Sequence, residues 1–300
     1  MIVTDLQYGL ETKLVNKLDI MIERCTTNHP KRDALMINEG GEGEGKTNSS
    51  LAEAYYVKTK TDRDIYLFFR LQSLIDFAKS TENKILIWDE PSLDSLSTDH
   101  LKKINMDLTR LLMTVRKKRH FFIINMTKFY KFNEYIVVDR CLGMVNMYSR
   151  KGTEIGRFRY IKKSSLEYLF NAYRFSKKRL YFKLSKFGGK FPDIIEKYFG
   201  RMGIIVVDGF GKQHLNASYD VYEREKDKAI MSIGDKDVEK AKDKRDLRMF
   251  KWKVANIKFP CSTQKEWAEK VGISVSIVKS WLHFMDDEVQ NDKDKATPQG

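Results

Sequence analysis

Cysteine is scarce and scattered in this chain. Cys25, Cys141 and Cys261 are the three among 300 residues. An odd number at such wide separations offers neither a disulfide framework nor metal-ligand spacing, and it suits a reducing compartment. Long apolar runs are also missing. No stretch of about 18 apolar residues occurs, so no membrane-spanning helix is expected. The N-terminus lacks the charged-then-apolar pattern of a secretory leader, and a cytoplasmic location is the expectation. Acidic residues are rare in the middle third. Residues 101–200 hold 24 Lys/Arg against 7 Asp/Glu, whereas residues 1–100 hold 12 against 17. The net charge of +14 is therefore concentrated in one region. A basic middle points to a polyanionic partner, most simply nucleic acid; a lysine-rich solvated surface is the plainer alternative. A hydrophobic content of 42% and a charged content of 32% fit a globular chain, long enough for about two domains.

The stretch from Ala34 to Ser49 is the most informative. An apolar run, Ala34-Leu35-Met36-Ile37, leads through Asn38 and Glu39 into Gly40-Gly41-Glu42-Gly43-Glu44-Gly45-Lys46-Thr47-Asn48. This fits G-x-x-x-x-G-K-[ST] after a strand, the pattern of a phosphate-cradling loop. Glycines let successive backbone N–H groups turn inward toward phosphate oxygens. Lys46 would reach the β- and γ-phosphates, and the Thr47 hydroxyl would ligate Mg²⁺. A helix from Thr47 to Tyr56 would aim its N-terminus at the anion. A glycine-rich surface turn is the alternative, but both flanks fit the phosphate loop. Glu42 and Glu44 put negative charge beside a polyanion site, so their side chains are expected to point to solvent.

About 40 residues later, Lys84-Ile85-Leu86-Ile87-Trp88 reads as a buried strand ended by Asp89-Glu90-Pro91. Asp89 would hold the Mg²⁺ shell. Glu90 would orient and deprotonate the attacking water. Pro91 cannot continue a ladder, which leaves both carboxylates at the carboxyl edge of the sheet, where open α/β sheets bind ligands. Next come a helix from Ser97 to Arg116 and a strand from His120 to Thr127. Asn125 or Thr127 at the end of that strand could sense the γ-phosphate; Asn125 is the preferred choice.

Elsewhere the signals are coarser. Thr4 to Cys25 reads as a helix opened by a Thr4/Gln7 capping pair. Asn16-Lys17-Leu18-Asp19 matches a guanine-reading pattern. It lies within that helix and ahead of the phosphate loop, so we read it as coincidence. Further strands and helices are expected at Arg63 to Phe69, Leu71 to Lys79, Gly203 to Val207 and Tyr219 to Met231. Gly143 to Tyr148 and Ile155 to Tyr160 should form a hairpin with a basic tip. Basic and aromatic residues alternate from Arg157 to Lys190. Arg150, Lys151, Lys162 and Lys163 are candidate nucleic-acid contacts, and the aromatics could stack bases or fill a core. Thr263 to Trp281 fits a helix-turn-helix. Thr263 and Glu266 form a capping box, Gly272-Ile273-Ser274 supplies the turn, and Ser276, Lys279 and Ser280 would be offered to a major groove; contact with another protein is the alternative.

These motifs resemble the ASCE division of P-loop NTPases, and within it the FtsK–HerA branch and the zonula-occludens-toxin-like proteins of phages. The resemblance covers roughly residues 30–165. Two features depart from it: Asn125-Met126-Thr127 stands where a glutamine usually ends the sensor strand, and no membrane span is present. The resemblance implies ATP and Mg²⁺ as cofactors and a homo-oligomer, with a ring possible. An arginine from a neighbouring subunit would complete the site, for which Arg110, Arg116 and Arg119 are candidates. The expected fold is α/β. It comprises a P-loop NTPase core with a mostly parallel sheet, a basic hairpin and helical extension, and a small α-helical C-terminal helix-turn-helix. The expected organisation is an N-terminal helix over 1–28 and an ATPase domain over 29–232, with its basic extension at about 143–200. A charged linker over 233–250, the helix-turn-helix over 251–286 and a disordered tail over 287–300 would follow. The expected activity is ATP hydrolysis coupled to DNA translocation, packaging or transfer in a virus or mobile element. A nucleotide-switched DNA-binding regulator is the alternative. A P-loop kinase is third, and Glu90 argues against it.

Overall fold

The computed structural model describes residues 2–3, 9–89, 98–150, 154–176, 184–191, 195–208, 211–231, 263–271, 274–276 and 278–279. Two units divide the chain, Met1–Ile230 and Met231–Gly300.

In the first unit, β1 (Ile2–Val3) and β2 (Gly9–Leu10) form a small antiparallel pair ahead of α1 (Thr12–Thr26). The helix therefore starts at Thr12 rather than Thr4. Gly9 and Leu10 are paired as strand, which stops the helix from extending back through them. The apolar spacing misled because Leu10 is as buried as Leu14 and Leu18, whichever element carries it. Asp19 of the guanine-like pattern accepts a hydrogen bond from Tyr56 at 2.7 Å, a helix–helix contact.

The main sheet follows from β3 (Ala34–Glu39), β4 (Ile65–Phe68), β5 (Ile85–Asp89), β6 (Phe121–Met126), β7 (Gly143–Arg150), β8 (Glu154–Lys162), β9 (Ser185–Lys190), β10 (Ile204–Val207) and β11 (Gln213–His214). Among the described residues its order is β11-β10-β4-β5-β6-β3-β7-β8-β9. The run from β10 to β7 is parallel throughout, and both flanks are antiparallel. Alternate strand residues enter two separate cores. Met36, Leu67, Ile87 and Ile123 face α1 and α2 (Lys46–Thr61). Ile37, Phe68, Trp88 and Ile124 face α3 (Leu71–Ser80), α4 (Thr98–Thr114) and α5 (Lys163–Ser176). Cover on both faces explains why these strands read as unbroken apolar runs rather than as alternating ones.

Helix α2 is buried from Asn48 through Val57. Glu53 is among these residues and receives the Asn38 amide at 2.9 Å. Burial pushes its carboxyl from an ordinary 4.5 up to about 8. The folded chain thus holds a proton that the unfolded chain releases. The stability this group lends is full below about pH 4.5 and is lost as pH rises toward 8. Glu53→Gln is expected to flatten the pH dependence of melting across that window. By pH 8 the wild type should have lost up to roughly 4 kcal/mol relative to the variant. Parallel pH slopes in thermal melts of the two proteins would refute the assignment.

In the second unit a helix spans Gln264–Val271, and residues 275–276 and 278–279 are helical. The Glu266 N–H donates to Thr263 Oγ1 at 3.2 Å, which is the capping contact expected there. Ala268 and Val278 are buried, whereas Ser276 and Lys279 are exposed. The expected turn residues Gly272 and Ile273, and Ser280 and Trp281, lie outside the described residues.

Candidate functional site

Strand β3 ends at Glu39 and α2 begins at Lys46, so residues 40–45 form the loop at the carboxyl edge of the sheet. Two glycines there have specific reasons. Gly45 caps α2 with φ 90°, a left-handed conformation that side chains resist. A Cβ on Gly40 would lie 2.8 Å from the Met147 carbonyl of β7. The Lys46 ammonium curls back onto the loop and donates to the carbonyls of Gly40 at 2.9 Å and Gly41 at 2.6 Å. Thr47 Oγ1 donates to Asp89 Oδ2 at 3.0 Å, which joins the loop to β5.

β6 lies between β5 and β3, and the register aligns Asn38, Asn125 and Asp89 in one polar row. Asn125 is fully buried; its amide donates to Asp89 Oδ1 at 2.9 Å and to Ser50 Oγ at 3.0 Å. Asn38 donates to Ser49 Oγ at 3.0 Å as well as to Glu53. The two asparagines thereby bolt α2 to the sheet and orient Asp89. Thr127, just beyond β6, lines the cleft, and its hydroxyl oxygen has no hydrogen-bond partner.

A helix over residues 219–231 borders the same cleft. Its Tyr222 hydroxyl donates to Asp89 Oδ2 at 3.2 Å and lies 3.5 Å from Thr47 Oγ1. Lys226 Nζ donates to the Tyr222 oxygen at 2.9 Å. Burial, with the Asp89 charge next, pushes the Tyr222 phenol well above its ordinary range, so it remains a donor. The resulting cleft of about 530 Å³ is lined by Lys46, Thr47, Asn48, Asp89, Thr127 and Lys226, among others. The Lys46 ammonium is pushed down, chiefly by burial; Asp89 opposes the shift and Lys226 adds to it. Two ammonium groups from opposite ends of the unit thus converge on one space. Neither Tyr222 nor Lys226 is marked by any motif in the sequence.

Beyond the loop lies a second cleft of about 570 Å³, lined by Glu39, Thr127, Asn146, Tyr148 and Arg159, among others. Glu39 is buried and accepts from the Asn146 amide. The Arg159 guanidinium stacks 3.7 Å from the Tyr148 ring centroid. On the loop itself, Glu42 is exposed as expected, but Glu44 is not fully so. Its Oε1 accepts from Ser149 of β7 at 3.3 Å, because β7 lies directly alongside the loop.

The remaining predicted residues scatter. Glu90 and Lys151 lie outside the described residues. Arg150 ends β7 at the edge that carries the phosphate loop, whereas Lys162 pairs with Gly143 at the far end of the ribbon. Seven residues of strand, about 23 Å, separate these levels, so the basic residues do not form one patch. Lys163 donates to the carbonyls of Val138, Asp139 and Cys141 and closes the turn over Tyr135–Arg140. Lys162 and Lys163 both line a cleft of about 470 Å³ with Lys17, Glu23, Arg24 and Arg32. Phe158, Tyr160 and Phe170 are core residues, whereas Tyr168 is 60% exposed. Arg116 and Arg119 precede β6, at the edge opposite the phosphate loop, and Arg119 donates to Asn28 at 2.9 Å. Arg110 is ion-paired with Asp107 at 3.8 Å.

No family model and no curated protein sequence matches this chain. Similar solved structures include the N-terminal domain of zonular occludens toxin from Neisseria meningitidis. Its TM-score is 0.33 at 10% identity, covering 56% of this chain and 98% of that one. The genome packaging NTPase B204 from Sulfolobus turreted icosahedral virus 2, in complex with ATP-gammaS, gives 0.29 at 14% identity, covering 45% and 94%. The DnaC helicase loader gives 0.27 at 19%, covering 41% and 76%. These likenesses concern fold alone. No helix among the described residues is long and apolar enough to cross a membrane.

Proposed function

We propose that this chain is a Mg²⁺-dependent ATPase that acts on nucleic acid, and that its work is moving, packaging or transferring DNA. The observation that carries the reading is the convergence of Lys46, Thr47, Asp89 and Lys226 on one cleft at the carboxyl edge of a parallel sheet. A hydroxyl and a carboxylate 3.0 Å apart are hard oxygen donors of the kind Mg²⁺ takes, so Thr47 and Asp89 would hold it. Bound Mg²⁺ would neutralise charge developing on the transferred phosphoryl group. The backbone N–H groups of residues 40–45 cradle phosphate oxygens. Lys46 leaves its two loop carbonyls to reach them, and Lys226 approaches from the opposite wall. Thr127 offers a free hydroxyl at the end of β6 as the phosphate sensor, since the Asn125 amide is already engaged with Asp89 and Ser50. Glu90, next in the chain after Asp89, takes the proton of the attacking water.

Nucleic acid as partner rests on charge. The Lys17, Arg24, Arg32 and Lys162 cleft supports it, and so does the basic middle third of the sequence. The capped helix at Gln264–Val271 favours a second reading, a nucleotide-switched DNA-binding regulator. ATP hydrolysis measured with and without DNA separates the two. A motor is stimulated by DNA, whereas a switch hydrolyses slowly in either condition. Absence of ATP binding would defeat both. Particle mass from light scattering tests the expected homo-oligomer.

Binding to DNA of mixed sequence should weaken with salt, with a log–log slope of about −0.9 per phosphate neutralised. Replacing Lys17 and Lys162 together by Ala is expected to flatten that slope by about 2, near one for each lost contact. An unchanged slope would move the footprint away from this cleft.

A further inference from the structure

Asp208 directly follows β10, His214 ends β11, and Glu225 stands on the helix over 219–231, one turn after Tyr222. One ligand atom from each lies within 4.8 Å of the other two. The two acids are 8% and 6% exposed. His214 Nε2 is shielded from solvent and has no hydrogen-bond partner. It lies 3.9 Å from Asp208 Oδ2 and 3.9 Å from Glu225 Oε1, too far for a hydrogen bond to either. The other Asp208 oxygen accepts from the Lys212 N–H at 2.8 Å. Lys228 at 2.8 Å and Arg224 at 3.5 Å contact Glu225 Oε1; both are more than half exposed. Such surface pairs are weak, and a carboxylate oxygen can accept more than one partner.

Burying two carboxylates side by side is unfavourable without positive charge between them. An imidazole nitrogen and two carboxylate oxygens at these separations surround one point. A cation there could bond all three at about 2.0–2.2 Å after each ligand atom moves by a few tenths of an ångström. We propose that Asp208, His214 and Glu225 form a binding site for a divalent transition-metal ion of the zinc class. An imidazole with two carboxylates suits zinc, cobalt or manganese, whereas magnesium and calcium prefer all-oxygen sites. The ion would join β10 and β11 to the helix over 219–231. Glu225 is three residues from Tyr222 and adjacent to Lys226. Fixing Glu225 therefore fixes the rotation that turns Tyr222 toward Asp89 and Lys226 into the cleft. The metal site stands without the nucleotide reading; only this consequence rests on it.

The test uses the full-length chain, stripped with a chelator and titrated with Co²⁺ and Zn²⁺ at neutral pH. One equivalent of Co²⁺ should produce visible d–d absorption, and Zn²⁺ should raise the Tm. His214→Ala and the isosteric Glu225→Gln should each abolish the band, whereas Asp89→Asn, in the nucleotide cleft, should keep it. Glu225→Gln serves alone if the alanine variant does not fold. The proposal would be overturned by no visible band with wild type, by a band that survives both the His214 and Glu225 variants, or by a band lost only with Asp89→Asn. A dominant thiolate charge-transfer band would assign the ion to cysteine and overturn it equally. The consequence is read separately as ATP affinity with and without Zn²⁺, so its failure leaves the metal site standing.

Discussion

Glu90→Gln should lower ATP turnover by about 10²-fold or more and leave ATP binding nearly intact. The expectation rests on what β5 delivers. Its last residue, Asp89, is held by Thr47, Asn125 and Tyr222 together, so its carboxylate is already engaged. The next carboxylate in the chain remains for the water. An amide keeps the size of the side chain and can still orient water, but it cannot accept the proton, and a lost general base costs on this scale. Asp89→Asn should behave differently. It removes acceptor charge from the Thr47 and Tyr222 hydroxyls at once and should impair Mg²⁺-dependent binding itself. Single-turnover hydrolysis beside equilibrium binding of a fluorescent ATP analogue separates the two effects. Wild-type hydrolysis by Glu90→Gln would remove Glu90 from the chemistry. Glu39, the buried carboxylate of the neighbouring cleft, would then be the next base to test.

Lys226→Ala and Lys46→Ala should each weaken ATP binding by about 10- to 100-fold, the range for losing a hydrogen bond to a charged group. They should differ in their effect on the protein without nucleotide. The Lys226 charge disfavours the Lys46 ammonium, after burial and against the larger attraction of Asp89. Removing Lys226 relieves that repulsion at the cost of one hydrogen bond to Tyr222. The ligand-free Tm of Lys226→Ala should therefore hold or rise while ATP affinity falls. A lysine that merely braced the helix would show the reverse, a lower Tm with unchanged affinity. Lys226→Arg keeps the charge and should recover part of the binding. If wild type binds ATP and Lys226→Ala binds it equally well, the second lysine has no part in the site.

The elements nearest the cleft were the most legible in the sequence. The loop from Gly40 to Thr47 is defined by contiguous residue types. β3, β5 and β6 each open on four apolar residues that lead to a polar residue near the sheet edge, Asn38, Asp89 and Asn125. Legibility failed where a pattern could serve two elements. Leu10 suits a buried strand as well as a helix face, and the aromatics after Arg157 suit a core as well as a stacking platform. Phe158 and Tyr160 went to the core because β8 is covered by its neighbours. Asn125 lies in β6 and Thr127 just beyond its end, and spacing in the sequence could not separate them. In the structure Ser50 and Asp89 engage the Asn125 amide, whereas the Thr127 hydroxyl has no hydrogen-bond partner.

By itself the sequence determined a phosphate loop after a strand, an acid pair after another strand about 40 residues on, and a sheet buried on both faces. Each of these depends on residues close together in the chain, through backbone conformation and the period of side chains along a strand. Tertiary structure decided what faces the loop. Tyr222 reaches Thr47 across 175 residues of chain. Lys226 joins Lys46, and Lys162 is carried to the end of β8 away from Arg150. Asp208, His214 and Glu225 meet only because a helix packs beside two strands. Strand order and helix packing set these distances, and both come from burying two apolar faces at once. No local pattern encodes that, so no motif marks the residues it brings together.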